Sequence, residues 1–274
     1  MLSLTKRFPL KRAFITGAGS GLGKSLALQL ADDGWTVGIT DINEAALNET
    51  AKAVNQKGKA IAFVQNVADE NAYKTIAETF LKQTGGIDIL VNNAGVGDGA
   101  IFGEYELQNW QWIVGINQMG VIYGCHFFVP VMKQQGSGHI INVASAAAFA
   151  AAATMSPYNV TKAAVLSLSE TLFAELKHEG VDVSVVMPTF FRTNIMQYGR
   201  GTHDAKKFGE KLVAKARLGS DEIAAMILKA AGNKNFYIVL PKRAKVLFVI
   251  KRLFPSLFLR FTAYVFKNRD KLKR

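Results

Sequence analysis

Seven short apolar runs, separated by longer stretches with helical periodicity, leave this chain few folds to choose from. "RAFIT" (12–16), "TVGIT" (36–40), "AIAFVQN" (60–66), "IDILVNNAG" (87–95), "GHIINVAS" (138–145), "VDVSVVMP" (181–188) and "NFYIVLP" (235–241) are rich in Val, Ile and Ala. They lack apolar–polar alternation, as strands covered on both faces do. Helix-like segments at 24–34, 43–57 and 69–84 alternate with the first of them, and long helical patterns precede each of the last three. Strand–helix repetition of this kind calls for right-handed crossovers, so the expected class is α/β: one doubly wound parallel sheet of about seven strands with helices on both faces. No repeat, low-complexity tract or linker divides the chain.

Charge sets one segment apart. The 274 residues carry a net +12, which first suggests a nucleic-acid binder. Residues 242–274, however, hold eleven Lys and Arg against one acid, Asp270, so +10 of that charge lies in the tail. The rest of the chain is nearly neutral, which excludes a chain-wide nucleic-acid surface. The expected organisation is a nucleotide-binding and catalytic domain over 1–241 with a basic extension over 242–274. A single cysteine, Cys125, allows no internal disulfide and fits a reducing compartment. The four histidines, His126, His139, His178 and His203, are scattered, so no metal site is expected. The basic N-terminus lacks the apolar run of a secretory signal.

After the first strand comes "TGAGSGLG" (16–23). A Gly-rich turn between a strand and a helix N-terminus binds anions, because free backbone N–H groups and the helix dipole point at the phosphates. Position 22 is Leu22, so the spacing is G-x-x-x-G-x-G on Gly17, Gly21 and Gly23, with Ser20 inside the turn. Asp41 closes the second strand, and no Arg or Lys lies between Thr36 and Ala51. A carboxylate there accepts hydrogen bonds from ribose hydroxyls and repels a 2′-phosphate, so NAD is expected over NADP. The competing reading is an Asp that caps the following helix.

"PYNVTK" (157–162) puts Tyr158 and Lys162 one helical turn apart on one face. Ser156 is the expected N-cap of that helix, with Pro157 at its first position and Gly180 as its C-terminal stop.

Together these features resemble the short-chain dehydrogenase/reductase superfamily over roughly residues 11–195. The chain shows the Gly-rich turn, "NNAG" (92–95), Asn117 in "GINQMG", Ser145 in "INVAS" and Tyr158-x-x-x-Lys162, in that order. The resemblance implies a Rossmann-type fold and an NAD(P)-dependent oxidoreductase acting on CH–OH groups, active as a homodimer or homotetramer. Tyr158 would exchange a proton with the substrate oxygen. A free phenol has a pKa of about 10; Lys162 and oxidised nicotinamide would favour its phenolate. Ser145 would orient the reacting oxygen, and Asn117 would hold a water linking Lys162 to solvent. Lys162 would also hold the nicotinamide ribose. Asn93, Ala94 and Gly95 would line the cofactor, and Thr193 would bond the carboxamide. Where the family has Asp at the adenine this chain has Asn66, followed by Val67. The family's Pro-Gly after the sixth strand is here Pro188-Thr189, which makes substrate analogies unsafe.

Phe149, Met155, Phe190, Phe191, Met196 and Tyr198 fall in the region where the family binds substrate, and such a set suits an apolar alcohol or ketone. Core packing is the competing reading for each. In the tail, Leu247, Ile250, Phe254, Phe258, Phe261 and Val265 fall on one helical face, with Lys245, Arg252, Arg260 and Lys267 opposite and a break at Pro255. This basic amphipathic pattern is too interrupted by charge to cross a bilayer. Two expectations stay open: that it lies on an anionic membrane, or that its apolar face covers the active site or a partner subunit. The expected location is cytoplasmic, with peripheral attachment to the inner face of a membrane in the first case. The rival in a different class is a non-catalytic NAD sensor or membrane scaffold on the same fold.

Overall fold

The computed structural model describes residues 3–195 and 197–268. Seven strands form one parallel sheet: β1 Arg12–Thr16, β2 Thr36–Asp41, β3 Lys59–Val64, β4 Ile89–Asn92, β5 Gly138–Val143, β6 Val181–Pro188 and β7 Tyr237–Leu240, in the order β3-β2-β1-β4-β5-β6-β7. The order runs outward in both directions from the β1–β4 pair. A crevice opens at the carboxyl ends of these strands, which is where doubly wound sheets bind ligands.

Each face of the sheet is covered. On one side α1 (Ser3–Arg7), α2 (Gly21–Asp32), α3 (Glu44–Val54) and α10 (Ser220–Gly232) bury Leu26, Leu30, Trp35 and Ile227. On the other, α4 (Glu70–Thr84), α5 (Leu107–Val114), α6 (Gly120–Gln135) and α8 (Ser156–Leu176) close over Phe14, Phe80, Phe128 and Val165. A single π turn, Gly115–Met119, joins α5 to α6. By length and composition the run Leu107–Gln135 could cross a membrane, but α6 packs on α4, β4 and β5.

Several boundaries differ from expectation. β3 is an edge strand with Lys59, Ala62 and Val64 exposed and no residue buried, not a strand buried on both faces. The run 87–95 is a strand only over Ile89–Asn92, because Asn93 turns away to donate to the Thr16 and Gly17 carbonyls at 2.9 and 3.1 Å. Ser156 is the first residue of α8 and not its cap, and Gly180 (φ +74°) shapes the turn into β6 four residues past the end of that helix.

Between β5 and β7 lie the short α7 (Ala147–Ala150) and α9 (His203–Ala214). The tail forms α11 (Lys242–Leu253) and α12 (Pro255–Lys267), broken at the expected proline. The apolar face drawn from the helical pattern is mostly left exposed. Of the six apolar residues assigned to one face, only Phe258 is buried. α11 docks through Ala244 and Phe248 instead, with Phe248 against Phe149 and Tyr237 at ring distances of 5.1 and 5.3 Å. Arg252, expected to face away, stacks over Tyr237 and Phe248, since a planar guanidinium packs on aromatic faces at little desolvation cost.

Candidate active site

A cleft of about 740 Å³ runs across the carboxyl ends of the strands, from Asp41 at one end to Phe190 and Leu247 at the other. Its floor near β1 is the Gly-rich turn. Gly17 has φ +66°, and a Cβ there would lie 2.8 Å from the Ala94 Cα. A Cβ on Gly23 would lie 2.2 Å from the Gly17 carbonyl oxygen. Only glycine lets the turn and α2 approach this closely. No side chain caps α2, and Ser20, Gly21 and Leu22 from its start line the cleft. Gly23 lies beneath them and does not.

Asp41 takes a place that sequence reasoning half described. Its Oδ2 accepts from the Gly19 amide at 2.8 Å and its Oδ1 from the Asn43 amide at 2.9 Å. Asn43, not Asp41, caps α3, accepting from the Ala46 amide at 3.1 Å. The helix-cap reading of Asp41 therefore fails, and its carboxylate keeps spare lone pairs at the cleft edge. Next to it, Gln65 is buried and both polar atoms of its amide lack a hydrogen-bond partner. Gln65, Asn66 and Val67 all line the cleft. The uncapped helix start, the glycine cradle, the edge carboxylate and this unsatisfied amide fit a dinucleotide laid across the strand ends.

At the centre stand Ser145, Tyr158 and Lys162, all lining the cleft. Lys162 Nζ is buried and donates to the Val143 carbonyl at 2.9 Å; desolvation pulls its pKa down to about 8. Tyr158 is also buried. Burial raises its pKa above the usual phenol value, and the Ser145 hydroxyl pulls in the opposite direction. The ammonium stands 5.8 Å from the Tyr158 ring centre. Ser145 Oγ also accepts from the Ala147 amide at 3.1 Å, which fixes its rotamer.

Asn117 sits in the π turn and is fully buried outside the cleft lining. Its amide accepts from the Val96 N–H at 2.8 Å and donates to the Val96 carbonyl at 2.9 Å, with Thr161 Oγ1 at 3.4 Å. The side chain thus braces the strand-end segment 93–97. A Cβ on Gly95 would lie 3.1 Å from Asn117 Oδ1 and 3.3 Å from Lys162 Nζ, so glycine leaves that space open.

Phe149, Met155, Phe190, Phe191 and Tyr198 line the far end, together with Pro188 and Thr193; Met196 lies outside the described residues. Sequence reasoning missed Trp112, Ile116, Ile195 and Arg200, which also line it, together with Leu247 of the tail. Trp112 and Ile116 are four apart on one helical face, a signal that was available. Arg200 was not findable: its guanidinium lies 4.3 Å over the Trp112 ring because its amide is anchored on the buried Asp98 carboxylate at 2.9 Å. Asp98 also accepts from Tyr105 Oη and from the Gly99 amide, which ties the segment after β6 to the loop after β4.

Comparison with known proteins identifies the family. A sequence profile described as short chain dehydrogenase matches residues 11–203. The chain is 34% identical over 253 residues to a probable oxidoreductase, EphD, of Mycobacterium tuberculosis, covering 88% of this chain but only 43% of that protein's length. It is 31% identical over 230 residues to the 3-oxoacyl-[acyl-carrier-protein] reductase FabG of Thermotoga maritima, covering 83% and 93% of the two chains. Among solved structures, a short-chain dehydrogenase/reductase from Burkholderia phymatum in complex with NAD superposes with a TM-score of 0.85 at 30% identity, over 89% of this chain and 94% of that one.

Proposed function

We propose that this chain, which belongs to the short-chain dehydrogenase family, is an oxidoreductase that interconverts an apolar secondary alcohol and its ketone with NAD. The observation that carries this reading is the buried pair Tyr158 and Lys162, with the half-buried Ser145 beside them, facing one cleft whose far end is lined largely by aromatic and aliphatic side chains. The nicotinamide, when bound, supplies the hydride donor or acceptor.

The chain's own residues handle the proton. With its pKa raised by burial, Tyr158 is protonated at neutral pH and is ready to donate to a ketone oxygen. In the oxidative direction it must first lose that proton. Lys162, still largely charged below about pH 8, favours the phenolate electrostatically. Ser145 orients the reacting oxygen. Asn117 serves the relay by holding Val96 and so the wall beside Lys162, with a water on the Lys162 side as the exit for the proton.

Gly17, Ser20, Gly21 and Leu22 would hold the pyrophosphate, with Gly23 letting α2 pack close beneath them, and Asp41 the adenosine ribose. Asn66 and Val67 would face the adenine. Asn93, Ala94 and Gly95 would line the cofactor beside the adenosine ribose and Lys162 would hold the nicotinamide ribose, with Pro188 and Thr193 at the carboxamide. Support for NAD over NADP comes from the Asp41 carboxylate and the lack of Lys or Arg nearby in sequence. The match to 3-oxoacyl reductases is in keeping with a ketone borne on an apolar chain. We assign 1–241 to the catalytic domain and 242–274 to an extension lying on an anionic membrane surface at the cytoplasmic face. A homodimer or homotetramer is the assembly that the family suggests.

The test is NADH formation across secondary alcohols of increasing apolarity, with Tyr158→Phe as control. Turnover lost by about 100- to 10,000-fold in the variant, with NAD binding kept, supports the reading. Undiminished turnover in Tyr158→Phe overturns it, and NAD binding without turnover on any alcohol favours a sensor or scaffold.

A further inference from the structure

α11 and α12 expose apolar surface that none of the described residues covers. Leu253, Phe254, Leu257, Phe261 and Tyr264 are each more than half exposed. Scattered apolar residues are ordinary on a surface, but a contiguous set on two successive helices marks an interface. Residues 242–268 also carry seven Lys and Arg and no Asp or Glu. Arg252 is occupied by Tyr237, Phe248 and Glu170, whereas Arg243, Lys245, Arg260 and Lys267 are exposed. A second copy docked on this face would set cations against cations. An anionic bilayer satisfies the apolar and the basic groups together.

The same α11 borders the cleft. Leu247 lines it while remaining 46% exposed, and its neighbour Phe248 packs on Phe149, another cleft wall. We propose that α11 and α12 seat on an anionic lipid surface with the Leu247 lip at the lipid boundary, so that an apolar substrate passes between bilayer and cleft without crossing bulk water. What passes rests on the oxidoreductase reading above; where the mouth lies does not.

The test places tryptophan at Leu257→Trp, at Leu247→Trp and, as a control, at Val64→Trp on the opposite sheet edge, which is also exposed. Each is mixed with vesicles of phosphatidylglycerol and phosphatidylcholine, the latter brominated on its acyl chains. The fluorescence increment over the chain's own three tryptophans is then followed. Positions 257 and 247 should lose most of that increment and position 64 little. Vesicles of phosphatidylcholine alone should bind about tenfold or more weaker. An unquenched 257, or equal binding to neutral vesicles, overturns the anionic seat. Quenching at 257 without 247 overturns the lipid-facing mouth. NADH formation is measured separately: quenching without turnover counts against the substrate reading alone, and turnover without quenching against the seat alone.

Discussion

The Gly19 amide donates a 2.8 Å hydrogen bond to the Asp41 carboxylate, so the residue at the end of β2 also fixes the turn after β1. Asp41→Ala should therefore do two things. Loss of a charged acceptor for ribose and of a repulsive charge should raise the ratio of NADP to NAD kcat/KM by about 10- to 100-fold. The freed Gly19 amide should lower thermal stability. Steady-state kinetics with both cofactors and a melting curve read the two effects, and an unchanged ratio would remove Asp41 from cofactor selection.

Lys162 should trade stability for function. Unfolded, it titrates near about 10.4; folded, near about 8 because it is desolvated. Between those values the unfolded chain holds more protons, so this group's contribution to stability rises with pH across that window, and below about pH 8 the buried charge is a fixed penalty. Lys162→Met should be inactive yet more stable near pH 7, by about 1–3 kcal/mol. The gap should shrink towards pH 10. Paired denaturant titrations at the two pH values check the sign, and a gap independent of pH would mean that the shift is not the cause.

Gln65 is buried with its amide unsatisfied. Replacing an unsatisfied polar group with an apolar one of similar volume removes a desolvation cost of about 1–3 kcal/mol. Gln65→Leu should thus stabilise the cofactor-free chain while weakening NAD binding. Calorimetric titration with NAD decides whether the amide has a ligand partner; unchanged affinity assigns it a packing role only.

His139 predicts the acid limb. Arg7 donates to its Nδ1 at 3.2 Å, which leaves Nε2–H to donate to Ser184 Oγ at 2.8 Å. Burial first, then the Arg7 and Lys234 charges, lowers its pKa to about 3. The unfolded imidazole protonates near about 6.5, so stability falls as pH drops from about 6.5 towards 3, by up to about 1.4 kcal/mol per pH unit from this residue. In His139→Gln that share of the slope should vanish, and urea midpoints near pH 7 and pH 5 would show it.

The sheet was legible because buried parallel strands need uninterrupted apolar runs; β6 matches its expected span to the residue. That the Gly-rich turn, Ser145, Tyr158 and Lys162 meet at one cleft was legible because their order and spacing resemble those of the family. β3 misled because an apolar run does not say whether a strand lies at an edge. Arg200 and Gln65 depend on contacts across long separations, which no local pattern encodes. The side on which α11 docks was not legible for a similar reason: the helical pattern did not single out Phe248, which is held by the rings of Phe149 and Tyr237.

The π turn at Gly115–Met119 gives the helical run 107–135 two phases. An α-helix advances about 100° per residue, so one extra residue in a turn rotates everything beyond it by that angle. α5 is timed to set Trp112 in the cleft, α6 to set Phe128 on the sheet, and Asn117 falls at the change of phase, aimed at Val96. A substitution there acts through the contacts of that one residue. Deleting a single residue from the turn would re-time all of α6.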